Sequence, residues 1–144
     1  MNINDRFNPP PAPSGAFVPF AQIGQTLYVS GHIARIEGGK PWIGRLGETM
    51  TTAEGKEAAR AVAMDLLGTL QTATELTRIK RIAKLLVLVN SAPTFTEQHL
   101  VANGASELLK EIFGDKGLHA RSAFGVAQLP FGSCVEIELM AELE

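Results

Sequence analysis

The stretch that decides the fold spans residues 122–142 and reads SAFGVAQLPFGSCVEIELMAE. From residue 135 to residue 142 apolar side chains alternate with three glutamates and Met140, which is the two-residue period of a strand with one face against a core. The carboxylates of this strand therefore share the opposite face. Turn-forming Pro130 and Gly132 separate it from a second extended segment at residues 122–129, and the two segments together predict a hairpin.

Upstream, residues 51–76 have the pattern of a helix. Thr51 and Glu54 form a capping box, in which each side chain satisfies a backbone N–H that the first helical turn leaves without a partner. The apolar residues behind this box recur at steps of three and four, so one face of the helix needs a sheet to cover. Those residues are Ala59, Val62, Ala63, Leu66, Leu67 and Leu70.

A second helix is predicted further along the chain. Pro93 and Thr94 stand where a helix begins, and Gly114 stands where a C-terminal cap belongs. The apolar residues between them again recur at helical spacing. Asn103 followed by Gly104 weakens the middle of this helix, because both residues have low helix propensity.

Three further segments are predicted to be strands. Residues 25–30 are rich in β-branched and aromatic side chains and are bounded by glycines, and a shorter strand at residues 17–21 pairs with them. Residues 82–90 are almost continuously apolar, which suits a strand in the middle of a sheet. The order ββαβαββ predicts one α+β domain over residues 1–144, with both helices on one face of a single sheet. An oligomer is one way to cover the other face.

Two segments lie outside this pattern. Residues 1–14 end in a proline-rich run, which we interpret as an extended lead-in arm, with a ligand for a peptide-binding domain as the alternative. Residues 37–47 contain four glycines and one proline. This composition predicts an exposed, mobile loop around Trp42, the only tryptophan of the chain.

Composition and charge argue against several classes of protein. Hydrophobic residues make up 45% of the chain and charged residues 19%, with a formal net charge of −2, which disfavours a disordered chain and a nucleic-acid-binding polycation. No apolar stretch is long enough to cross a membrane and no secretion signal is visible. Cys134 is the only cysteine and has no partner for a disulfide. We therefore expect a cytoplasmic protein.

The sequence contains no standard cofactor or metal motif. A nucleophile elbow, a phosphate-binding loop and an HExxH pair are all missing. The three histidines lie far apart, with no spacing typical of metal ligands. We expect neither a metal ion nor a cofactor.

Arg121 and Glu136 are the candidates for chemistry. A guanidinium in a cleft can hold a substrate carboxylate through two parallel hydrogen bonds, and a glutamate beside the substrate can orient a water or take its proton. The alternative is a cross-strand ion pair on an exposed sheet face, which contributes little to stability. Glu138 shares the face of Glu136. His119 fits an ordinary loop residue and Cys134 a small buried one.

Three motifs resemble one known family, the Rid/YjgF proteins. Residues 119–130 read HARSAFGVAQLP and are followed by Gly132 and by VEIE at residues 135–138, which is similar to the family's C-terminal signature. Residues 27–33, LYVSGHI, resemble the family's strand ending in S-G-Q-I, and residues 15–17, GAF, resemble its G-P-Y. The order of elements matches as well.

This resemblance implies a chorismate-mutase-like fold and a homotrimer with a barrel-like core and ligand sites between subunits. It implies that Arg121 binds the carboxylate of an imino acid, that Glu136 places the hydrolytic water, and that Phe17, Ser30 and Gly31 line the cleft. The implied reaction is the cofactor-free deamination of 2-aminoacrylate-type enamines and imines to 2-keto acids and ammonia.

The sequence also departs from the family pattern. Phe17 stands in place of a tyrosine, Ala123 stands where many members have cysteine, and Asn103 matches the family's helical asparagine only after a shift of register. Two other functions therefore stay open: a non-catalytic trimer that binds small carboxylates in the same cleft, and a ribonuclease or translation inhibitor. The acidic net charge disfavours the latter.

Overall fold

The C-terminal strand lies at the centre of the sheet. The computed structural model describes residues 1–13 and 15–144. The strands are β1 (Phe20–Ile23), β2 (Thr26–Ile33), β3 (Ile79–Asn90), β4 (Ala120–Val126) and β5 (Val135–Leu143), and the helices are α1 (Thr52–Ala73) and α2 (Gln98–Phe113). Within the described residues, the five strands form one sheet in the order β1-β2-β5-β3-β4. The predicted α+β order ββαβαββ is confirmed.

The predicted hairpin between residues 122–129 and 134–142 is wrong. β4 is an edge strand that pairs in parallel with β3, whereas β5 lies between β2 and β3 and pairs antiparallel with both. α2 carries the chain from the end of β3 to the start of β4, and such a crossover makes its two strands parallel. The turn at Pro130–Gly132 then leads the chain to the other edge of β3, with Phe131 in the left-handed region (φ 59°).

Both helices lie on one face of the sheet, as predicted. α1 packs on β2 and β5, and α2 packs on β3 and β4. The side of β5 that faces the helices is buried and consists of Val135, Ile137, Leu139 and Ala141. Glu136, Glu138, Met140 and Glu142 alternate with them and line the opposite face, called here the open face. Tyr28 and Phe124 also lie on the open face and are 44% and 47% exposed.

The two helices approach each other closely at Gly104. A Cβ atom at this position would overlap the backbone carbonyl oxygen of Lys56 in α1. Gly104 therefore lowers the helix propensity of α2 but permits the close packing of α2 on α1. Its neighbours Val101, Ala105 and Leu108 are fully buried.

The capping box of α1 is present as predicted. The backbone N–H of Glu54 donates to Oγ1 of Thr51 at 3.2 Å, and the backbone N–H of Thr51 donates to Oε1 of Glu54 at 3.1 Å. The helix ends at Ala73, and a short 3-10 turn at Leu76–Arg78 follows, so the predicted end at residue 76 lies three residues too late.

α2 begins later than predicted and ends where predicted. Residues 92–95 form a turn in which the backbone N–H of Phe95 donates to the carbonyl oxygen of Ala92 at 3.0 Å, so the helix begins only at Gln98. Gly114 ends it with a φ of 64°. No helix in the described part of the chain combines the length and the apolar character that a membrane span requires.

The N-terminal arm packs along α1. The backbone N–H of Phe7 donates to Oε1 of Gln71 at 2.9 Å, and the side-chain amide of Gln71 donates to the carbonyl oxygen of Asp5 at 2.8 Å. Gly68 leaves the room that the backbone of Asn8 needs. Ser14, the last residue of the predicted arm, lies outside the described residues.

The loop at residues 37–47 is only partly exposed, so the prediction of an exposed loop is wrong for Trp42 and Leu46. Leu46 is fully buried and Trp42 packs half-buried against the core. The backbone N–H of Trp42 donates to the carbonyl oxygen of Ala34, and its own carbonyl oxygen accepts from the N–H of Cys134, both at 2.9 Å. These bonds attach the second half of the loop to the sheet.

Candidate functional site

α2 fixes the position of Arg121. Nη1 of Arg121 donates to Oδ1 of Asn103 at 2.9 Å and to Oγ of Ser106 at 3.1 Å, and Nη2 donates to the carbonyl oxygen of His99 at 3.3 Å. Residues 99, 103 and 106 are spaced by four and three, so they lie on one face of α2. The packing of α2 against β4 therefore sets the orientation of the guanidinium.

Part of the guanidinium remains available to a ligand. A guanidinium has five N–H donors, and α2 engages both donors of Nη1 and one of Nη2. Within the described residues, Nε and the second N–H of Nη2 have no acceptor, and no carboxylate lies within ion-pair distance of Arg121. These two neighbouring nitrogens match the two oxygens of a carboxylate.

A second layer of polar groups supports Arg121. Nε2 of His119 lies 3.0 Å from Oγ of Ser106, and Nδ1 lies 3.0 Å from the carbonyl oxygen of Ala120. Burial lowers the pKa of His119, the charge of Arg121 lowers it further, and the hydrogen bond to Ala120 opposes both. An open cleft of about 290 Å³ adjoins Arg121, and Ser106, Lys110 and His119 line it as well.

Glu136 lies on the open face beside Gly31. A Cβ atom at Gly31 would overlap the carboxylate of Glu136, so the missing side chain provides the space that this carboxylate occupies. Burial raises the pKa of Glu136, and the negative charge of Glu138 raises it further. A carboxylate with a raised pKa is a better general base near neutral pH than an ordinary one.

A β-bulge creates the close approach at Gly31. β2 pairs with β5 as far as Val29 and resumes at His32, and between these points the two residues Ser30 and Gly31 oppose the single residue Glu138. Such a bulge locally bends its strand and redirects the side chains around it. The bulge therefore places Ser30 and Gly31 at the site of Glu136.

His32 attaches this bulge to the helix layer. Its Nδ1 lies 2.7 Å from the carbonyl oxygen of Ser30, and its Nε2 lies 2.8 Å from Oγ1 of Thr69 in α1. A carbonyl oxygen can only accept, so Nδ1 donates and Nε2 accepts from the threonine hydroxyl in the neutral ring. Burial is the main cause that lowers the pKa of His32. Sequence reasoning missed this residue.

Arg121 and Glu136 of one chain do not meet. In the sheet, Arg121 of β4 pairs with Leu85 of β3, which in turn pairs with Leu139 of β5. Paired residues point to the same face of a sheet, so Arg121 lies on the helix-covered face. Glu136 lies on the open face, three residues before Leu139 in β5. Because β3 lies between β5 and β4, the axes of β5 and β4 are about 10 Å apart. The alternative of a cross-strand ion pair between them is therefore wrong for a single chain.

Each of the remaining predicted site residues lies near either Glu136 or Arg121. Phe17 precedes β1 instead of lying within it and is 59% exposed. Oγ of Ser30 donates to the carbonyl oxygen of Val18 at 2.6 Å, which brings the segment after Phe17 to the bulge. Ala123 follows Arg121 by two residues on the same face of β4. The chain thus carries a carboxylate region around Glu136 and a cationic region around Arg121.

Cys134 is a packing residue, as predicted. Its side chain is fully buried, and burial raises the pKa of the thiol to about 11. The reactive thiolate is therefore scarce near neutral pH. In the described part of the chain, no three side chains of His, Cys, Asp or Glu form a group that would hold a metal ion.

A family model and a related protein both match almost the whole chain. The family model described as "YjgF/chorismate_mutase-like, putative endoribonuclease" matches residues 9–143. Protein TCP17 of Trypanosoma cruzi is 47% identical over 134 residues, which cover 92% of this chain and 84% of that protein.

Solved structures agree with this match. A crystal structure from Shewanella oneidensis, titled a putative endoribonuclease, superposes with a TM-score of 0.91 at 32% identity and covers 96% of this chain and 92% of that one. RidA of an Antarctic Psychrobacter superposes with a TM-score of 0.62 at 23% identity over 99% of both chains. The second likeness shows the fold alone.

Proposed function

Because this chain belongs to the Rid/YjgF family, we propose that it hydrolyses enamine and imine intermediates of the 2-aminoacrylate type to 2-keto acids and ammonia. The observation that carries the proposal is Arg121, whose guanidinium α2 holds in place with two neighbouring donors left for a ligand. Glu136 supplies a carboxylate with a raised pKa.

Arg121 binds the carboxylate of the imino acid. The Nε–H and the second N–H of Nη2 each donate to one carboxylate oxygen, and this bidentate pairing fixes the direction of the attached C=N bond. Asn103 and Ser106 keep Nη1 occupied, so the guanidinium does not need to reorient when the substrate arrives. Binding is therefore preorganised.

Glu136 activates water. It takes a proton from the water as the oxygen bonds to the imine carbon, and the electron pair of the C=N bond moves to nitrogen, which receives that proton. The hydroxyl proton of the carbinolamine then moves to nitrogen, the C–N bond breaks with release of ammonia, and the carbon keeps the oxygen as a keto group. The carbon undergoes no net oxidation or reduction, so the reaction needs no redox cofactor.

The two groups come together between subunits. In one chain Arg121 and Glu136 lie on opposite faces of the sheet, so a substrate cannot contact both. A homotrimer, in which the open face of one subunit meets the β4 edge of the next, joins Glu136 of one chain to Arg121 of another. Tyr28 and Phe124 stay 44% and 47% exposed at opposite ends of the open face, so a single chain leaves this face uncovered for a partner subunit.

A non-catalytic trimer that binds small carboxylates is the second candidate. Phe17 and Ala123 favour it, because neither supplies a hydroxyl or a thiol that could help to transfer a proton. The ribonuclease activity that relatives carry in their names fits less well. Binding of the phosphate backbone relies on Lys and Arg, whereas this chain has a net charge of −2 and several glutamates on its open face.

The test couples purified protein to a pyridoxal-phosphate threonine or serine dehydratase and follows loss of the free imine. We expect acceleration over spontaneous hydrolysis, and Arg121→Ala should lose at least about tenfold in kcat/KM because a charge-assisted bidentate contact disappears. Arg6→Ala is the matched control, since the side chain of Arg6 is 73% exposed and, among the described residues, forms its ion pair with Glu75 at 3.8 Å.

The outcomes separate the candidates. Acceleration by the wild type and by Arg6→Ala, but not by Arg121→Ala, supports the deaminase. If the wild type leaves the spontaneous rate unchanged with several amino acid precursors but still binds pyruvate through Arg121, the chain is a binding protein.

A further inference from the structure

In the hydrogen bonds that connect Arg121, Ser106, His119 and Ala120, donor and acceptor can be assigned in only one way when His119 is neutral. A guanidinium only donates, so Ser106 accepts from Nη1 of Arg121 at 3.1 Å. The carbonyl oxygen of Ala120 only accepts, so Nδ1 of His119 donates to it at 3.0 Å. In the neutral ring Nε2 is then an acceptor, and the hydroxyl of Ser106 donates a hydrogen bond to it at 3.0 Å. The bonds run from Arg121 through Ser106 and His119 to Ala120.

We propose that Ser106 and His119 are positioning residues of the Arg121 site, and that binding of a carboxylate to Arg121 is linked to uptake of a proton by His119. This inference rests on the proposed function of Arg121 as the carboxylate anchor. It adds two residues that do not touch the substrate and a dependence of ligand binding on pH.

The geometry explains why the two events are linked. His119 is separated from the guanidinium by one hydroxyl group, so an imidazolium there is repelled by Arg121 across a short path. A carboxylate on Arg121 cancels the guanidinium charge and removes this repulsion. Protonated His119 then donates to Ser106, whose oxygen accepts from both neighbours.

The surrounding charges leave Arg121 as the main partner of His119. From α2, Glu107 and Lys110 line the same cleft, with opposite charges, and the carboxylate of Glu107 already lies 3.2 Å from Nζ of Lys56. From β4 only Arg121 lines the cleft, and the connecting residues Gly117 and Leu118 add no charge. The cationic character around His119 agrees with a pKa lowered first by burial and further by Arg121.

The linkage between carboxylate binding and protonation of His119 determines how the affinity for the carboxylate changes with pH. A bound carboxylate raises the pKa of His119, so by reciprocity the affinity for the carboxylate increases as the pH falls through the range in which His119 titrates. Glu136 also loses its negative charge as the pH falls, and its ionised form repels an anionic ligand. The contribution of His119 must therefore be separated by substitution at His119 itself.

The experiment uses pyruvate, a 2-keto acid of the product class, as the probe. NMR follows the imidazole of His119 in the intact protein with and without saturating pyruvate, and His99→Gln and His32→Gln assign the other two rings. Calorimetry measures the pyruvate Kd between pH 5.5 and 8. We expect the pKa of His119 to rise by about half a unit or more with pyruvate, and His119→Gln to remove the matching part of the pH dependence.

Ser106 is tested by a matched pair of variants. Ser106→Ala removes the hydroxyl and should weaken pyruvate binding about 3- to 10-fold, the effect of one hydrogen bond. Ser106→Thr keeps the hydroxyl and should restore at least part of the affinity. Circular dichroism and thermal unfolding of both variants separate local loosening of Arg121 from loss of the fold.

The results distinguish this inference from the function on which it rests. If Arg121→Ala binds pyruvate as tightly as the wild type, the carboxylate anchor itself is wrong. A second set of results would refute the positioning network but keep the anchor. In these results Arg121→Ala abolishes pyruvate binding, but either pyruvate leaves the pKa of His119 unchanged or Ser106→Ala binds pyruvate as tightly as the wild type.

Discussion

At the scale of single residues, Glu136 has opposite effects on stability and on the proposed catalysis. Its pKa is raised above the ordinary value by burial and by Glu138, so the folded protein holds the neutral form more strongly than the unfolded chain does. The resulting stability is complete at low pH and is lost as the pH rises through the raised pKa. Near neutrality the ionised carboxylate therefore destabilises the fold.

Glu136→Gln should stabilise the protein at pH 7 and abolish turnover. We expect a gain of about 0.5 kcal/mol, or roughly 1–3 °C in Tm, since the group is only half-buried. This gain should vanish below about pH 4, where the wild-type carboxyl is also neutral. Thermal unfolding at pH 4 and pH 7, with Glu142→Gln as control, measures the difference. A stability loss at pH 7 would show that the ionised group is stabilised by partners in the assembly.

Residue chemistry made Arg121 and Glu136 candidates and the family resemblance implied their roles, but neither indicated the groups that contact them. A guanidinium and a carboxylate can be selected by type, whereas Ser106 and His32 gain their roles only from tertiary contacts. One signal was available: Asn103 and Ser106 place polar side chains at a spacing of three beside the apolar face of a helix. Such residues often reach a partner on a neighbouring element.

At the scale of elements, the bulge in β2 determines where the carboxylate lies. Gly31→Ala introduces a methyl group that overlaps the carboxylate of Glu136, so Glu136 must move. We expect kcat for imine hydrolysis to fall about tenfold or more, because general-base catalysis requires close placement, with a smaller change in KM.

A double-mutant cycle tests this expectation. Glu136→Ala removes the obstructing side chain, so adding Gly31→Ala to it should cost no further stability or activity. Additive losses in the two variants would mean that Gly31 acts on the backbone of the bulge and not through Glu136.

The pattern of elements was predictable but their pairing was not. Alternation identified β5 and its two faces correctly, because that periodicity is a local property. The neighbour of β5 is not local: consecutive strands often pair, yet here the α2 crossover places β4 beside β3 and β5 enters between β2 and β3. This error also created the supposed contact between Arg121 and Glu136.

At the scale of the whole molecule, the separation of the two groups has a direct consequence. Arg121 lies near the β4 edge on the helix-covered face, whereas Glu136, Gly31 and Ser30 gather at the β2–β5 bulge on the open face. The family resemblance predicts a homotrimer, and the open face offers the surface for it. Under the proposed function, a complete site then requires two chains.

The most direct test of this claim is complementation between two inactive variants. Arg121→Ala and Glu136→Gln chains are co-expressed in equal amounts, mixed assemblies are verified by native mass spectrometry, and imine hydrolysis is measured. In a heterologous ring each site takes its arginine from one chain and its glutamate from the next, so random mixing should restore about one quarter of wild-type activity. Activity no higher than that of the separate variants would contradict a site shared between subunits.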